Sequence, residues 1–210
     1  MIYLIITTCI RNRFGIQDDN ERRERYINAI SETLKHVPST IQPIIVENNG
    51  QRQTYLDNFI WNEKSVQVIY TNNNQHTFRS KGVNELMDIK EVIHRLGIHD
   101  TDMIIKLTGR YKVFSPNFFK YIIKHENNFD AFIKFFGVES LQFEQNDCVL
   151  GMYAMRVMYL KLFSHISIDN FDSAEIAYAK YARLSIPRLK EIENLYIECN
   201  FAKNQQELLV

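Results

Sequence analysis

The sequence predicts an α/β fold: a mostly parallel central sheet with helices on both faces, followed by a mixed second half. Three observations predict it. Short β-branched apolar runs alternate with helical periods through the first half of the 210-residue chain. Those runs are almost continuously apolar, as strands covered on both faces are. With only seven Gly and four Pro, no stretch reads as a flexible linker, and there is no internal repeat, so one domain over 1–210 is expected.

Ile2 to Thr8 reads as a buried first strand. Asn20 to His36 reads as a helix with Tyr26, Ile27, Ile30 and Leu34 on one face, capped by Asp19 or Asn20. Ile41 to Glu47 is a second strand, Gln53 to Asn62 a short helix, and Val66 to Thr71 a third strand. Lys81 to Leu96 is a strong helix with Val83, Leu86 and Ile93 in register, stopped by Gly97. Met103 to Leu107 is a fourth strand. Ser115 caps a helix that has Pro116 at its first position and runs to about Glu126. Ala131 to Phe136 is a fifth strand. Beyond it the rhythm breaks. Cys148 to Met155 reads as a strand, Val157 to Ser164 and Ser173 to Leu184 as helices, and Glu191 to Val210 as either.

Lys+Arg and Asp+Glu both number 25, so the formal net charge is zero. That argues against a general nucleic-acid binder, which carries a basic excess. The 14 Phe and 11 Tyr are mostly core, with some left to line a sugar or base pocket. Cys9, Cys148 and Cys199 are far apart without metal-ligand spacing, and read as reduced thiols in a cytosolic setting. The six His show no metal pattern; His36, His94 and His99 fall near helix ends or turns. Ile2 to Ile6 lacks the basic flank and cleavage site of a signal peptide, and no run reaches transmembrane length. A soluble, cytoplasmic protein is expected, in the host-cell cytoplasm if the source is viral.

In open α/β sheets ligands bind outside the carboxyl ends of the strands. Here those ends read Thr7-Thr8-Cys9-Ile10-Arg11-Asn12, Glu47-Asn48-Asn49-Gly50, Thr71-Asn72-Asn73-Asn74 and Thr108-Gly109-Arg110-Tyr111. Asn and Gly also end strands for turn geometry alone. Successive polar clusters at one edge nonetheless suit a site, with amides and hydroxyls to read a nucleoside. Arg11, Arg79, Lys81 and Arg110 would neutralise a pyrophosphate.

On these residues the chain resembles nucleotide-sugar glycosyltransferases of the GT-A type, including small ones that build viral or bacterial surface glycans. The resemblance is carried by Ile5-Ile6-Thr7-Thr8, Ile45-Val46-Glu47-Asn48-Asn49, Arg79-Ser80-Lys81-Gly82-Val83-Asn84-Glu85 and Lys106-Leu107-Thr108-Gly109-Arg110-Tyr111, within roughly 1–155. It implies a GT-A-like, Rossmann-like sheet, with a nucleotide-sugar-binding half over about 1–112 and an acceptor and catalytic half over about 113–210. It implies nucleoside contacts from Thr7, Thr8, Glu47 and Asn48. The helix start at Lys81 to Asn84 would face the donor, where free N–H groups favour phosphate. The implied partners are a nucleotide-sugar, with UDP as the first choice, and a glycan or glycoprotein acceptor.

Many such enzymes hold Mn²⁺ or Mg²⁺ with an Asp-x-Asp at the end of the fourth strand. This chain has Asp100-Thr101-Asp102 before that strand instead, at the wrong edge. Metal dependence is left open, and Arg110 would replace the metal's charge with a bidentate phosphate contact. An inverting transfer needs a general base; Asp147 is the first candidate, Glu144 the second and Glu175 the third. The alternatives are a sugar nucleotidyltransferase, disfavoured because no Gly lies between Thr7 and Phe14, and a non-catalytic glycan- or nucleotide-binding module. A Rossmann dehydrogenase and a Ser hydrolase are disfavoured for want of Gly-x-Gly-x-x-Gly and Gly-x-Ser-x-Gly.

Overall fold

The structure, a computed structural model, describes residues 1–11, 18–76, 81–135, 147–164, 173–200 and 207–210. In chain order its first elements are β1 (Ile2–Thr8), α1 (Asp19–His36), β2 (Ile41–Glu47), β3 (Ile60–Trp61), β4 (Lys64–Ser65), β5 (Gln67–Tyr70) and α2 (Lys81–Leu96). Then come β6 (Met103–Thr108), β7 (Lys112–Val113), α3 (Asn117–His125), β8 (Ala131–Ile133), β9 (Met152–Arg156) and α4 (Val157–Leu162). The chain closes with α5 (Ala174–Ser185), β10 (Leu189–Glu191), β11 (Ile197–Asn200) and β12 (Glu207–Leu209).

Seven strands form one sheet in the order β10-β8-β9-β6-β1-β2-β5. β1 pairs in parallel with β2 and β6, β2 with β5, and β10 with β8. β9 is antiparallel to both of its neighbours, β6 and β8. Apolar side chains leave both faces, so the sheet must be covered twice. One face packs on α1 and α3 through Tyr26, Ile30, Leu34, Phe118, Phe119 and Ile122. The other packs on α2, α4 and α5 through Val83, Leu86, Ile89, Leu160, Tyr178 and Ala182. Complete burial of an Ile such as Ile5 or Ile44 is worth about 1.5–3 kcal/mol. The expected fold class is therefore the observed one.

The ends of the elements differ from expectation for local reasons. Asp18, not Asp19 or Asn20, caps α1, its Oδ1 accepting from Asn20 N at 2.8 Å and Glu21 N at 2.9 Å. Pro116 occupies the cap of α3 rather than its first turn, and Ser115 Oγ accepts from Asn117 N at 3.3 Å. Gln53 to Asn62 is not a helix. It forms one 3₁₀ turn, Thr54–Asn58, and then enters the β3–β4 hairpin. Asn62 and Glu63 take φ of 46° and 63°, the pair of left-handed values that a two-residue hairpin turn requires. The expected strand from Cys148 begins only at Met152; Cys148 makes a single antiparallel bridge to Phe135, and Leu150-Gly151 turn. Phe136 lies outside the described residues. The ambiguous C-terminal segment is strand: β11 pairs with β7 and β12 in a separate antiparallel sheet.

α2 ends where expected. Gly97, at φ 60°, lets its own N–H reach His94 O at 3.2 Å and Ile98 N reach Ile93 O at 3.0 Å, the double bond that closes a helix at a left-handed residue. Among the described residues no helix is long and apolar enough to cross a membrane.

Candidate active site

The parallel register brings the predicted polar clusters level. Thr8 lies opposite Glu47, Glu47 opposite Tyr70, and Thr7 opposite Thr108. The carboxyl ends of β1, β2, β5 and β6 thus form one edge. The two hydroxyls of β1 brace it: Thr8 Oγ1 donates to Val46 O at 3.0 Å, and Thr7 Oγ1 to Leu107 O at 3.4 Å. Glu47 is fully buried. Its Oε1 accepts from Ile10 N at 3.2 Å and from the Asn49 amide, while Oε2 is buried with no hydrogen-bond partner. Burial pushes the Glu47 carboxyl up, against the hydrogen bonds from Ile10 and Asn49. Cys9 beside it is a free thiol pushed up to about 12 by burial and the Glu47 charge, the opposite of the shift that activates a thiol.

Asn48 shows what the sequence reading missed. Its Nδ2 donates to Asp88 Oδ2 at 3.0 Å, and its Oδ1 is buried without a partner. Asp88, on α2 and fully buried, also accepts from Thr71 Oγ1 at 2.6 Å and Asn73 Nδ2 at 2.8 Å. One carboxyl thus ties the ends of β2 and β5 to α2. In sequence, Asp88 is one of three acidic residues at helical spacing, with Glu85 and Glu91, and nothing there marks it as buried. Asn84 closes the same junction, its Nδ2 donating to Asn73 O at 2.5 Å.

Burial pushes Asp88 up to about 7, with the Glu85 charge adding to it and hydrogen bonds from Thr71, Asn73 and Asn48 opposing it. The folded chain then holds a proton that the unfolded chain has already released between about pH 4 and 7. The stability this confers is full below about pH 4 and is lost as pH rises to about 7. Asp88→Asn removes that slope. The wild-type stability minus the variant's, from urea unfolding, should therefore fall by up to about 4 kcal/mol over the window. A flat difference would return Asp88 to an ordinary carboxyl.

At the end of β6, Gly109 donates its N–H to Thr7 O at 2.8 Å. A Cβ there would lie 2.8 Å from Thr7 O and 2.9 Å from Thr8 Cγ2, so glycine is required by the close crossing of β1. The half-buried Arg110 stacks on Tyr111, its Cζ 4.8 Å from the ring centroid and its Nη2 donating to Tyr111 Oη at 3.2 Å. Arg11 is exposed, 4.0 Å from Asp19, and its carbonyl accepts from Asn74 Nδ2 at 2.7 Å. Asp147 is 1% exposed, and its Oδ1 accepts from Cys148 N at 2.8 Å. β9 runs back from Met152 beside Leu107, which puts the segment before it at the same edge. Cys148 Sγ donates to Glu175 O at 3.2 Å, bringing the start of α5 alongside. Glu144 and Arg79 lie outside the described residues, as does the side chain of Lys81.

Asp100 and Asp102 lie at the opposite edge. Asp102 accepts from the amino terminus at 2.6 Å and from His99 N at 3.0 Å, and Asp100 pairs with Lys161 at 2.5 Å. A cleft of about 750 Å³ opens beside them, bounded by His94, Gly97, Asp100 and Lys161, away from the convergent polar ends. Thr108, Gly109 and Arg110 offer no carboxylate where a divalent cation would meet a diphosphate. No group of three His, Cys, Asp or Glu suited to a metal occurs among the described residues. Among the described residues, the donor set at the end of β6 does not fit Mn²⁺ or Mg²⁺.

No family model and no curated protein sequence matches the chain. Solved structures do. A protein of Desulfovibrio desulfuricans described as a nucleotide-diphospho-sugar transferase superposes with a TM-score of 0.57 at 10% identity, over 91% of this chain and 80% of that one. The galactosyltransferase LgtC, in complex with donor and acceptor sugar analogues, gives 0.53 at 9%, over 90% and 73%. CMP:2-keto-3-deoxy-manno-octonic acid synthetase complexed with CTP gives 0.50 at 12%, over 91% and 90%. At these identities the likeness is one of fold. The mixed seven-stranded sheet matches that of GT-A structures.

Proposed function

We propose that the chain is a glycosyltransferase that moves a sugar from a nucleoside-diphosphate sugar to a hydroxyl of a glycan or other acceptor. One observation carries the reading: level, polar strand ends at the ligand edge of a GT-A sheet, with Glu47 Oε2 and Asn48 Oδ1 buried there and unpartnered. Buried acceptors without donors are costly in a finished protein, and a nucleoside brings hydroxyl and N–H donors. Thr7, Thr8, Glu47 and Asn48 hold the nucleoside. Thr108, Gly109, Asn84 and the start of α2 face the diphosphate, with Arg11, Arg79, Lys81 and Arg110 supplying positive charge. Asp147 accepts the proton of the attacking hydroxyl, with Glu144 the second candidate and Glu175 the third.

UDP is the expected nucleotide. Calorimetry should show UDP or GDP binding more tightly than uridine or guanosine. Equal affinity for diphosphate and nucleoside would end the pyrophosphate assignment.

Likeness to the CTP-bound synthetase keeps one other reading, a nucleotidyltransferase that makes the activated sugar. The products separate them: transfer releases a nucleoside diphosphate, whereas nucleotidyl transfer to a sugar releases pyrophosphate. Release of neither would favour a binding module.

A further inference from the structure

Lys106 sits in the middle of β6 yet is only 2% exposed. Burying an ammonium is expensive unless every proton is taken. Three acceptors take them: Thr108 Oγ1 at 2.7 Å, Leu150 O at 2.6 Å and Glu85 Oε2 at 2.6 Å. An ammonium only donates, so the direction of each bond is fixed. Thr108 Oγ1 accepts a hydrogen bond from Lys106, so its own hydroxyl hydrogen must point elsewhere.

That separates Thr108 from the other threonines of this edge. Thr7 and Thr8 give their hydroxyl hydrogens to backbone carbonyls, and Thr71 gives its own to Asp88. Thr108 has no such acceptor among the described residues. It is the last residue of β6 and 6% exposed. Gly82 and Glu85 of α2, Lys106 and Leu150 share a small cleft on the same face. A hydroxyl whose oxygen is bonded to a buried cation is a stronger donor, and a phosphate oxygen can only accept.

We infer that Lys106 is a positioning residue for the diphosphate: it turns Thr108 into an obligate, polarised hydrogen-bond donor aimed at an anionic oxygen of the nucleotide. Glu85 balances the buried charge, and the bond to Leu150 O fixes the turn that follows Asp147. The inference rests on the nucleotide-sugar reading above.

The test is calorimetry with UDP, GDP, uridine and guanosine. Thr108→Val should weaken the preferred diphosphate about tenfold and leave its nucleoside unchanged, and Thr108→Ser should recover the loss. Lys106→Met combined with Glu85→Gln, which leaves no buried charge unpaired, should reproduce the Thr108→Val loss. Adding Thr108→Val to that pair should cost nothing further, because Lys106 acts through Thr108. A purely structural lysine would lower nucleoside and diphosphate affinity together. That outcome, additive losses, or equal affinity in Thr108→Val and Thr108→Ser would overturn the inference. If the paired variant fails to fold, the Val and Ser comparison decides alone. A wild type with no preference for diphosphates brings down the nucleotide-sugar reading and this inference with it. A preference that survives Thr108→Val brings down only the inference.

Discussion

Asp147→Asn should leave a folded protein that binds UDP as before but turns over about 10²- to 10⁴-fold more slowly, the usual contribution of a positioned general base. Asp147 is buried at the ligand edge, one residue before the bridge from Cys148 to Phe135. Its Oδ1 is oriented by Cys148 N at 2.8 Å. Glu175, brought alongside by Cys148, is a weaker candidate, because its Oε2 accepts from Ser173 Oγ at 2.8 Å in the first turn of α5. A first-turn carboxylate beside its cap residue is expected for helix stability alone. Steady-state kinetics with donor affinity measured separately checks the assignment. Near-normal turnover in Asp147→Asn would move the base to Glu144 or Glu175, or indicate a retaining reaction that needs no base at this position.

The sheet was legible because its strands are apolar on both faces and its helices carry clear stripes. Ile2–Thr8, Ile41–Glu47 and Lys81–Leu96 fall where pattern places them. Gln53 to Asn62 differs from the expected helix because Ile60-Trp61 is a hairpin arm, and a turn of two left-handed residues without glycine leaves only Asn62 as its mark. Topology alone puts Thr7, Thr8, Glu47, Asn48, Thr108 and Gly109 at one edge, so their convergence was legible. The burial of Asp88 and of Lys106 was not legible because charge in a sequence usually signals solvent. Lys106 did carry a signal: a lysine inside an otherwise apolar parallel strand is covered on both faces, so it must be buried and must find acceptors. Partners such as Leu150 are 44 residues away, and no local pattern points to them.

Arg110→Ala should reduce turnover by about 2–4 kcal/mol in transition-state stabilisation, the range for preorganised electrostatic groups. As the glycosidic bond breaks, the leaving diphosphate gains negative charge, and something positive must face it. The end of β6 supplies no carboxylate to hold a metal there, but it does supply a guanidinium. Arg110 is held by stacking at 4.8 Å on Tyr111 and by the bond to the Tyr111 hydroxyl. These contacts limit its rotamers, and a planar guanidinium fits a phosphate bidentately. Arg110→Lys keeps the charge but loses the fork and much of the stacking, so it should recover only part of the rate. If Arg110 carries this charge, activity should also persist when EDTA removes divalent ions. The decisive comparison is wild type and Arg110→Ala, each with and without EDTA. Complete loss of wild-type activity in EDTA, rescue by Mn²⁺ and little effect of Arg110→Ala would transfer the charge to a metal held by the donor phosphates or by carboxylates outside the described residues.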